Sequence, residues 1–141
     1  MILLDTNIVS EIMRPRPNHQ VLDWLNRQYS PDLYVSSVTI AEIMYGLWRL
    51  PDGRRKQGLQ QRFERFLAKA FQFRVLGFDE PEARVYGRLM GESSLAGRTL
   101  SVPDGQIAAI AIHNRFAVAT RNTRDFSYCG VQLIDPFDPE E

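Results

Sequence analysis

An apolar run, Met1-Ile2-Leu3-Leu4, leads directly into a carboxylate at Asp5, so that residues 1–5 read as one strand, and a helical pattern begins at Thr6 and Asn7. No other stretch restricts the possible folds as much. An uninterrupted apolar run predicts a strand covered on both faces, the habit of central strands in parallel sheets. A carboxylate at the end of such a strand is costly unless a partner meets it. Asp5 therefore caps the following helix, belongs to a site, or does both, since a helix N-terminus also stabilises an anion.

The pattern downstream supplies the layers that such a strand needs. Thr6 is placed to cap a first helix whose apolar side is Ile8, Val9, Ile12 and Met13. Pro15 and Pro17 break it, and Asn18 can cap a second helix with Val21, Leu22, Trp24 and Leu25 inward. Beyond a turn at Ser30-Pro31-Asp32, Leu33 to Ser36 reads as a second strand, and Thr39-Ile40-Ala41-Glu42 opens a helix to about Leu50. Pro51-Asp52-Gly53 ends it. Residues 54–73 carry Leu59, Phe63, Phe66, Leu67, Ala70 and Phe71 at helical spacing, which predicts a long amphipathic helix. Arg74 to Phe78 is a third strand, and Glu80-Pro81-Glu82 starts a helix to about Leu95. After a loop to Val102, Pro103 starts a helix that is apolar without a break from Ile107 to Ile112, hence buried. Phe116 to Ala119 and Val131 to Ile134 are the fourth and fifth strands, with a short turn or helix at Asn122 to Tyr128. Residues 135–141 form an acidic, proline-rich tail.

The alternation of strand and helix predicts an α/β domain spanning residues 1–141, with a mostly parallel five-stranded sheet and helices on both faces. In such sheets ligands gather beyond the carboxyl ends of the strands, where the strand order reverses. Asp5 and Thr120 follow two strands and are expected neighbours there.

Composition narrows the function. Lysine plus arginine equals aspartate plus glutamate, 17 against 17, so net charge selects no class of polyanionic or acidic partner. The bases are 15 Arg and 2 Lys, and arginine suits forked contacts to carboxylate or phosphate. The single cysteine, Cys129, excludes an internal disulfide framework and a cysteine-only zinc site, and reads as a small apolar residue. The N-terminus lacks the pattern of a secretory leader, and no stretch approaches the ~20 apolar residues of a membrane span. The expectation is a soluble, cytoplasmic protein with no membrane contact.

Three further acids stand at boundaries like that of Asp5: Glu42, Asp104 and Asp125. Each has an ordinary explanation. Thr39 and Glu42 fit a capping box, Asp104 suits the first turn after Pro103, and Asp125 suits a turn. Taken together they point elsewhere, because helix N-termini gather on one edge of a parallel α/β layer. Carboxylates ~5 Å apart repel by roughly 3 kcal/mol per pair at an effective dielectric of about 20. Such a cluster raises a pKa, recruits arginine or binds a cation. Oxygen-only ligands favour magnesium or manganese over zinc. His19 and His113 lie at no comparable boundary.

Four stretches carry a specific resemblance: Ile2-Leu3-Leu4-Asp5-Thr6-Asn7, Thr39-Ile40-Ala41-Glu42, Asp104-Gly105-Gln106-Ile107-Ala108-Ala109, and Val118-Ala119-Thr120-Arg121-Asn122-Thr123-Arg124-Asp125-Phe126. In order and approximate spacing they resemble the PIN domain ribonucleases, in the VapC-like toxin branch near the FitB-type proteins. The resemblance implies a magnesium site, with manganese able to substitute, and the catalytic acids Asp5, Glu42 and Asp104. Members differ over whether the fourth acid stands at the place of Asn122 or of Asp125. This chain has asparagine at the first, which leaves Asp125. The metal ligands implied are Asp5, Asp104 and Asp125, supported by Thr6, Asn7, Thr120 and Asn122. The resemblance also implies a cognate DNA-binding antitoxin and a homodimer.

RNA contacts are expected at Arg54 and Arg55, at the turn before the long helix, and at Arg121 and Arg124, beside the acids. Other bases near the long helix read as a solvated face. Met44, Tyr45, Leu47 and Trp48, with Phe63 and Phe66, offer more apolar surface than one face can bury, and part of it could form a groove for a partner helix. The function expected is a magnesium-dependent endoribonuclease acting as the toxin of a type II toxin–antitoxin pair. The competing reading is an antitoxin-bound regulatory module with little turnover. A phosphoaspartyl protein is disfavoured, because Thr6 and Asn7 follow Asp5 and both lysines lie within residues 56–69.

Overall fold

The structure is a computed structural model and describes residues 1–71 and 74–138. The end of the expected helix at residues 72–73 and the last part of the expected tail, residues 139–141, lie outside the described residues. In chain order the elements are β1 (Ile2–Leu4), α1 (Thr6–Ile12), α2 (His19–Asn26), a single 3-10 turn, β2 (Leu33–Ser36), α3 (Ser37–Trp48), α4 (Arg54–Ala70), β3 (Val75–Leu76), α5 (Glu80–Leu95), α6 (Val102–Asn114), β4 (Ala117–Ala119), α7 (Thr123–Phe126) and β5 (Leu133–Ile134).

All five strands are parallel and lie in the order β3-β2-β1-β4-β5. The chain builds outward from β1 on one side, then returns to lay β4 against its other edge. The strand order therefore reverses between β1 and β4, with Leu4 opposite Ala119. Asp5 and Thr120, the next residue on each strand, leave the sheet together at that point.

The period-2 alternation of the strands sorts the core into two faces. Leu4, Val35 and Ala119 pack with Ile8, Val9, Val21, Trp24 and Phe63 of α1, α2 and α4. Leu3, Tyr34 and Val118 point the other way, onto Ile107, Ile110 and Ala111 of α6. Each of the fully buried Leu, Ile, Val and Phe side chains among these contributes about 1.5–3 kcal/mol. The second face has a further layer, since α5 lies along α6. Gly105 permits that approach: a Cβ there would stand 2.6 Å from Met90 Sδ and 3.0 Å from Tyr86. Asp104 is thereby seated where two helices meet.

Several boundaries differ from expectation. Of the two caps that the sequence offered for α1, Asp5 serves and Thr6 does not, with Asp5 Oδ1 accepting from the Thr6 N–H at 2.8 Å. Ser36, not Thr39, caps α3, and Ser101 moves the start of α6 back to Val102. The edge strands β3 and β5 are two residues each, shorter than the five and four expected, because each pairs along one side only.

Candidate active site

The cleft forms at the reversal point. It has a volume of about 480 Å³ and is lined by Asp5, Thr6, Asn7, Ser10, Glu11, Arg14, Glu42, Asp104 and Asn122. Four separate segments, the start of β1–α1, α3, α6 and the turn after β4, bring these residues together.

Asp5 is 3% exposed. Its Oδ2 accepts from the Thr120 hydroxyl at 2.8 Å, while Oδ1 holds the Thr6 N–H. A carboxylate offers about four acceptor sites, so half remain open. Burial pushes its pKa up to about 6; the two hydrogen bonds lower it, and the charges of Asp104 and Glu42 raise it again. Asp104 is raised in the same direction, first by burial and then by Glu42 and Asp125, against a lowering contribution from Ser101. The acids thus feel one another, and Asp125 belongs to the same electrostatic group through Asp104.

Thr120 is a fully buried junction. Its hydroxyl donates to Asp5 and accepts from the Asn122 N–H at 2.9 Å and from Asn7 Nδ2 at 3.4 Å. One donor and two lone pairs are all in use. Asn7 Oδ1 in turn takes the Arg121 N–H at 3.2 Å, fastening the β4–α7 turn to α1.

Glu42 is held by a different route. The Thr6 hydroxyl donates to Glu42 Oε1 at 2.6 Å and also lies 3.0 Å from the Thr39 hydroxyl. An ionised Glu42 can only accept, so the one proton of Thr6 is spent there and Thr39 must donate to Thr6. Ser36 Oγ, 3.5 Å from Thr39 Oγ1, completes a chain of hydroxyls directed toward Glu42. Glu42 stands in the second turn of α3 and plays no part in a capping box, which corrects the local explanation for its presence.

The structure does not gather every expected residue. Asn122 lines the cleft, whereas Asp125 is exposed on α7 and does not. Arg54 and Arg55 open α4, Arg121 lies over the Phe137 ring at 4.4 Å, and Arg124 is exposed on α7; none of the four lines the cleft. Phe63 is fully buried, and Met44, Leu47 and Phe66 pack against the core, so they are withdrawn from the expected groove. Tyr45 and Trp48 stay exposed at 65% and 64%. Tyr45 borders a more apolar groove of about 540 Å³, with Val38, Ala41, Pro103 and Gln106, that shares Glu42 with the acidic cleft. Ser10, Glu11 and Arg14 went unanticipated. With Asn7 they form the polar stripe of α1 and its C-terminal extension, at spacings of three and four, and that spacing was visible in the sequence.

Among the described residues no group of three His, Cys, Asp and Glu side chains stands as a finished metal cage. Magnesium does not require one, since it keeps several waters and takes one or two carboxylates. The residues fit such an ion: the donors are all oxygen, and Asp5 retains open acceptor sites while standing buried within reach of the charges of Asp104 and Glu42.

The PIN domain family profile matches residues 2–130. The chain belongs to the PIN domain family. It is 42% identical to the plasmid stability protein StbB of Pseudomonas syringae pv. tomato, over 98% of this chain and 99% of that protein. It is 40% identical to VapC ribonuclease Y4jK of Sinorhizobium fredii, over 99% of each. Against toxin FitB of Neisseria gonorrhoeae the identity is 39%, over 97% of this chain and 99% of that protein. Among solved structures it superposes on FitAcB from Neisseria gonorrhoeae with a TM-score of 0.91, at 39% identity, covering 97% and 99% of the two chains. FitAB bound to an IR36 DNA fragment gives a TM-score of 0.93 at 38% identity, covering 100% and 99%. A toxin–antitoxin complex from Klebsiella pneumoniae gives 0.73 at 26% identity, covering 96% and 98%. The chain is thus a VapC-like PIN domain of the FitB branch, with relatives named as a VapC ribonuclease and as a toxin.

Proposed function

We propose that this PIN domain is a magnesium-dependent endoribonuclease, the toxin of a type II toxin–antitoxin pair. The observation that carries the reading is the convergence of Asp5, Glu42 and Asp104 on one cleft at the sheet's reversal point. Relatives named as ribonuclease and toxin support it along nearly the full chain.

In this reading Asp5 and Asp104 hold the ion, with Asp125 lending charge through Asp104. A magnesium ion held there would supply Lewis acidity toward the phosphodiester and make a bound water a better nucleophile. The chain's own groups do the rest. Thr120 and the Thr6 N–H fix both oxygens of Asp5. Glu42, with Oε1 occupied by Thr6, has Oε2 left to accept the proton of attacking water. Asn7 and Asn122 hold the mouth of the site through Thr120. Hydrolysis by water leaves a 5′-phosphate and a 3′-hydroxyl. Manganese is expected to replace magnesium, as both are oxygen-seeking.

The partner proposed is a small DNA-binding antitoxin, with a homodimer as the working unit in the cytoplasm. Structural neighbours solved as a toxin–antitoxin complex and bound to a DNA fragment support it. The groove beside Tyr45 offers an apolar seat that reaches Glu42. Among the described residues no helix is long and apolar enough to cross a membrane.

The test is cleavage of RNA by the purified chain, freed of partner, with magnesium, beside Asp5→Asn and Asp104→Asn. The reading requires activity in the wild type and its loss in both variants. Equal activity in all three would assign it to a contaminant.

A further inference from the structure

We infer that Arg14, braced by the buried carboxylate of Glu11, is a phosphate-binding residue for a nucleotide flanking the cleavage site; this rests on the ribonuclease reading. Arg14 is the one basic side chain among the described residues that line the acidic cleft. Its Nη1 donates to Glu11 Oε1 at 3.3 Å, and its side chain is otherwise 66% exposed. Glu11 is only 7% exposed, and its second oxygen accepts the Asn18 N–H at 2.9 Å. Asn18 is itself fixed, because its side chain caps α2 through the N–H groups of Gln20 and Val21. The brace therefore stands on two helix ends, and Pro15 and Pro17 restrict the backbone between them.

Arg14 is not the counter-ion of the catalytic acids. Among the described residues its ion pair is with Glu11, and none joins it to Asp5, Glu42 or Asp104. A guanidinium presents five N–H donors in a planar fork, and Glu11 engages one nitrogen. The others remain for an acceptor entering the cleft. RNA brings phosphates on both sides of the scissile one, and a cleft otherwise lined by Asp5, Glu11, Glu42 and Asp104 repels them all. The reacting phosphate would be met by a metal ion held by Asp5 and Asp104. Arg14, on the α1 wall, meets a neighbour and sets how the strand lies. Glu11 acts through Arg14 as a positioning residue.

The experiment compares wild type, Arg14→Gln, Arg14→Lys and Arg16→Gln. Arg16 is an exposed arginine two residues away that does not line the cleft. Each full-length protein is assayed with magnesium on a mixed-sequence single-stranded RNA, and binding is measured across a salt series. Arg14→Gln is expected to raise KM about fivefold with kcat within about twofold, the loss of one partly exposed charge-assisted contact. The slope of log affinity against log salt should fall by about 0.7, one phosphate contact to a single strand. Arg16→Gln should match the wild type in KM, salt slope and melting temperature, whereas Arg14→Gln, which leaves the buried Glu11 carboxylate without its cation, should melt a few degrees lower and still be folded at the assay temperature. Arg14→Gln behaving like wild type, or Arg16→Gln behaving like Arg14→Gln, overturns the inference. If Arg14→Gln fails to fold, Arg14→Lys decides: it keeps the charge and loses the fork, so the slope must hold while KM rises, and an unchanged KM overturns it. A wild-type chain that binds RNA without cutting it sinks the ribonuclease reading but leaves the salt slopes to judge Arg14. A chain that neither binds nor cuts RNA overturns both.

Discussion

Thr120 and Asp5, 115 residues apart in sequence, share a hydrogen bond of 2.8 Å, with the threonine hydroxyl donating to Asp5 Oδ2. The bond crosses the β1–β4 seam one residue past the last paired positions, Leu4 and Ala119. It ties the buried carboxylate to the place where the strand order reverses. The same hydroxyl gathers Asn7 and the backbone of Asn122, so one oxygen joins the β1–α1 segment of the cleft to the turn after β4.

Thr120→Val keeps the shape and removes that junction. The Asn122 N–H and Asn7 Nδ2 lose their acceptor, and Asp5 loses a donor to its ionised form. Thermal unfolding should report a loss of about 1.5–3 kcal/mol. The Asp5 carboxyl should titrate higher still, so metal binding measured by calorimetry should need higher pH than in the wild type.

The pH dependence of the metal-free protein follows from Asp5. Its folded pKa is raised from 3.8 to about 6, chiefly by burial. The fold therefore holds a proton that the unfolded chain has already released. The associated stability is complete below about pH 4 and is lost as pH rises through about 6, a span of about 3 kcal/mol. Asp104, shifted in the same direction, deepens the fall. Denaturant unfolding of chelator-treated protein from about pH 4 to about pH 7 should show it. Asp5→Asn should lose most of it. Magnesium should oppose it, because the ionised form is the one that binds.

The hydroxyl chain to Glu42 makes its own prediction. Thr39→Val leaves the Thr6 hydroxyl without a donor, and Thr6→Val leaves Glu42 Oε1 bare. Cleavage should fall more in Thr6→Val, by about tenfold, than in Thr39→Val, by a few fold. Thr6→Ser, which keeps the hydroxyl, should restore most of the rate. A Thr6→Ser variant as impaired as Thr6→Val would assign Thr6 to packing instead.

Arg115 ends α6 in the left-handed region, at φ 59° and ψ 43°. Glycine adopts that conformation without the Cβ clash but orders at a greater entropic cost. Arg115→Gly should be net stabilising by about 0.5–1 kcal/mol, seen as a melting temperature a few degrees higher, with cleavage unchanged.

Much of this architecture is written locally. The run Ile2 to Leu4 announces a central strand because nothing else buries both faces, and Glu80-Pro81-Glu82 places the start of α5 to the residue. Asp5 and Thr120 were expected neighbours from the reversal rule alone. Local rules misled where two caps competed. Thr39 and Glu42 looked like a capping box, but Ser36, three residues earlier, took the cap and released Glu42 to the cleft. Phe63 looked available for a partner because helical spacing tells which residues share a face, not how deep that face lies. Arg14 escaped notice because its meaning depends on Glu11, whose own partner is a backbone N–H beyond two prolines.

Manganese binding to the metal-free chain tests the central claim most directly. The paramagnetic signal of free manganese disappears on binding, so a titration counts ions without relying on activity. The wild type should bind manganese in competition with magnesium, while Asp5→Asn and Asp104→Asn, each still folded, should lose affinity by about tenfold or more. Folded wild type that leaves millimolar manganese free, or aspartate variants that bind it as the wild type does, would contradict an acidic metal centre at this cleft.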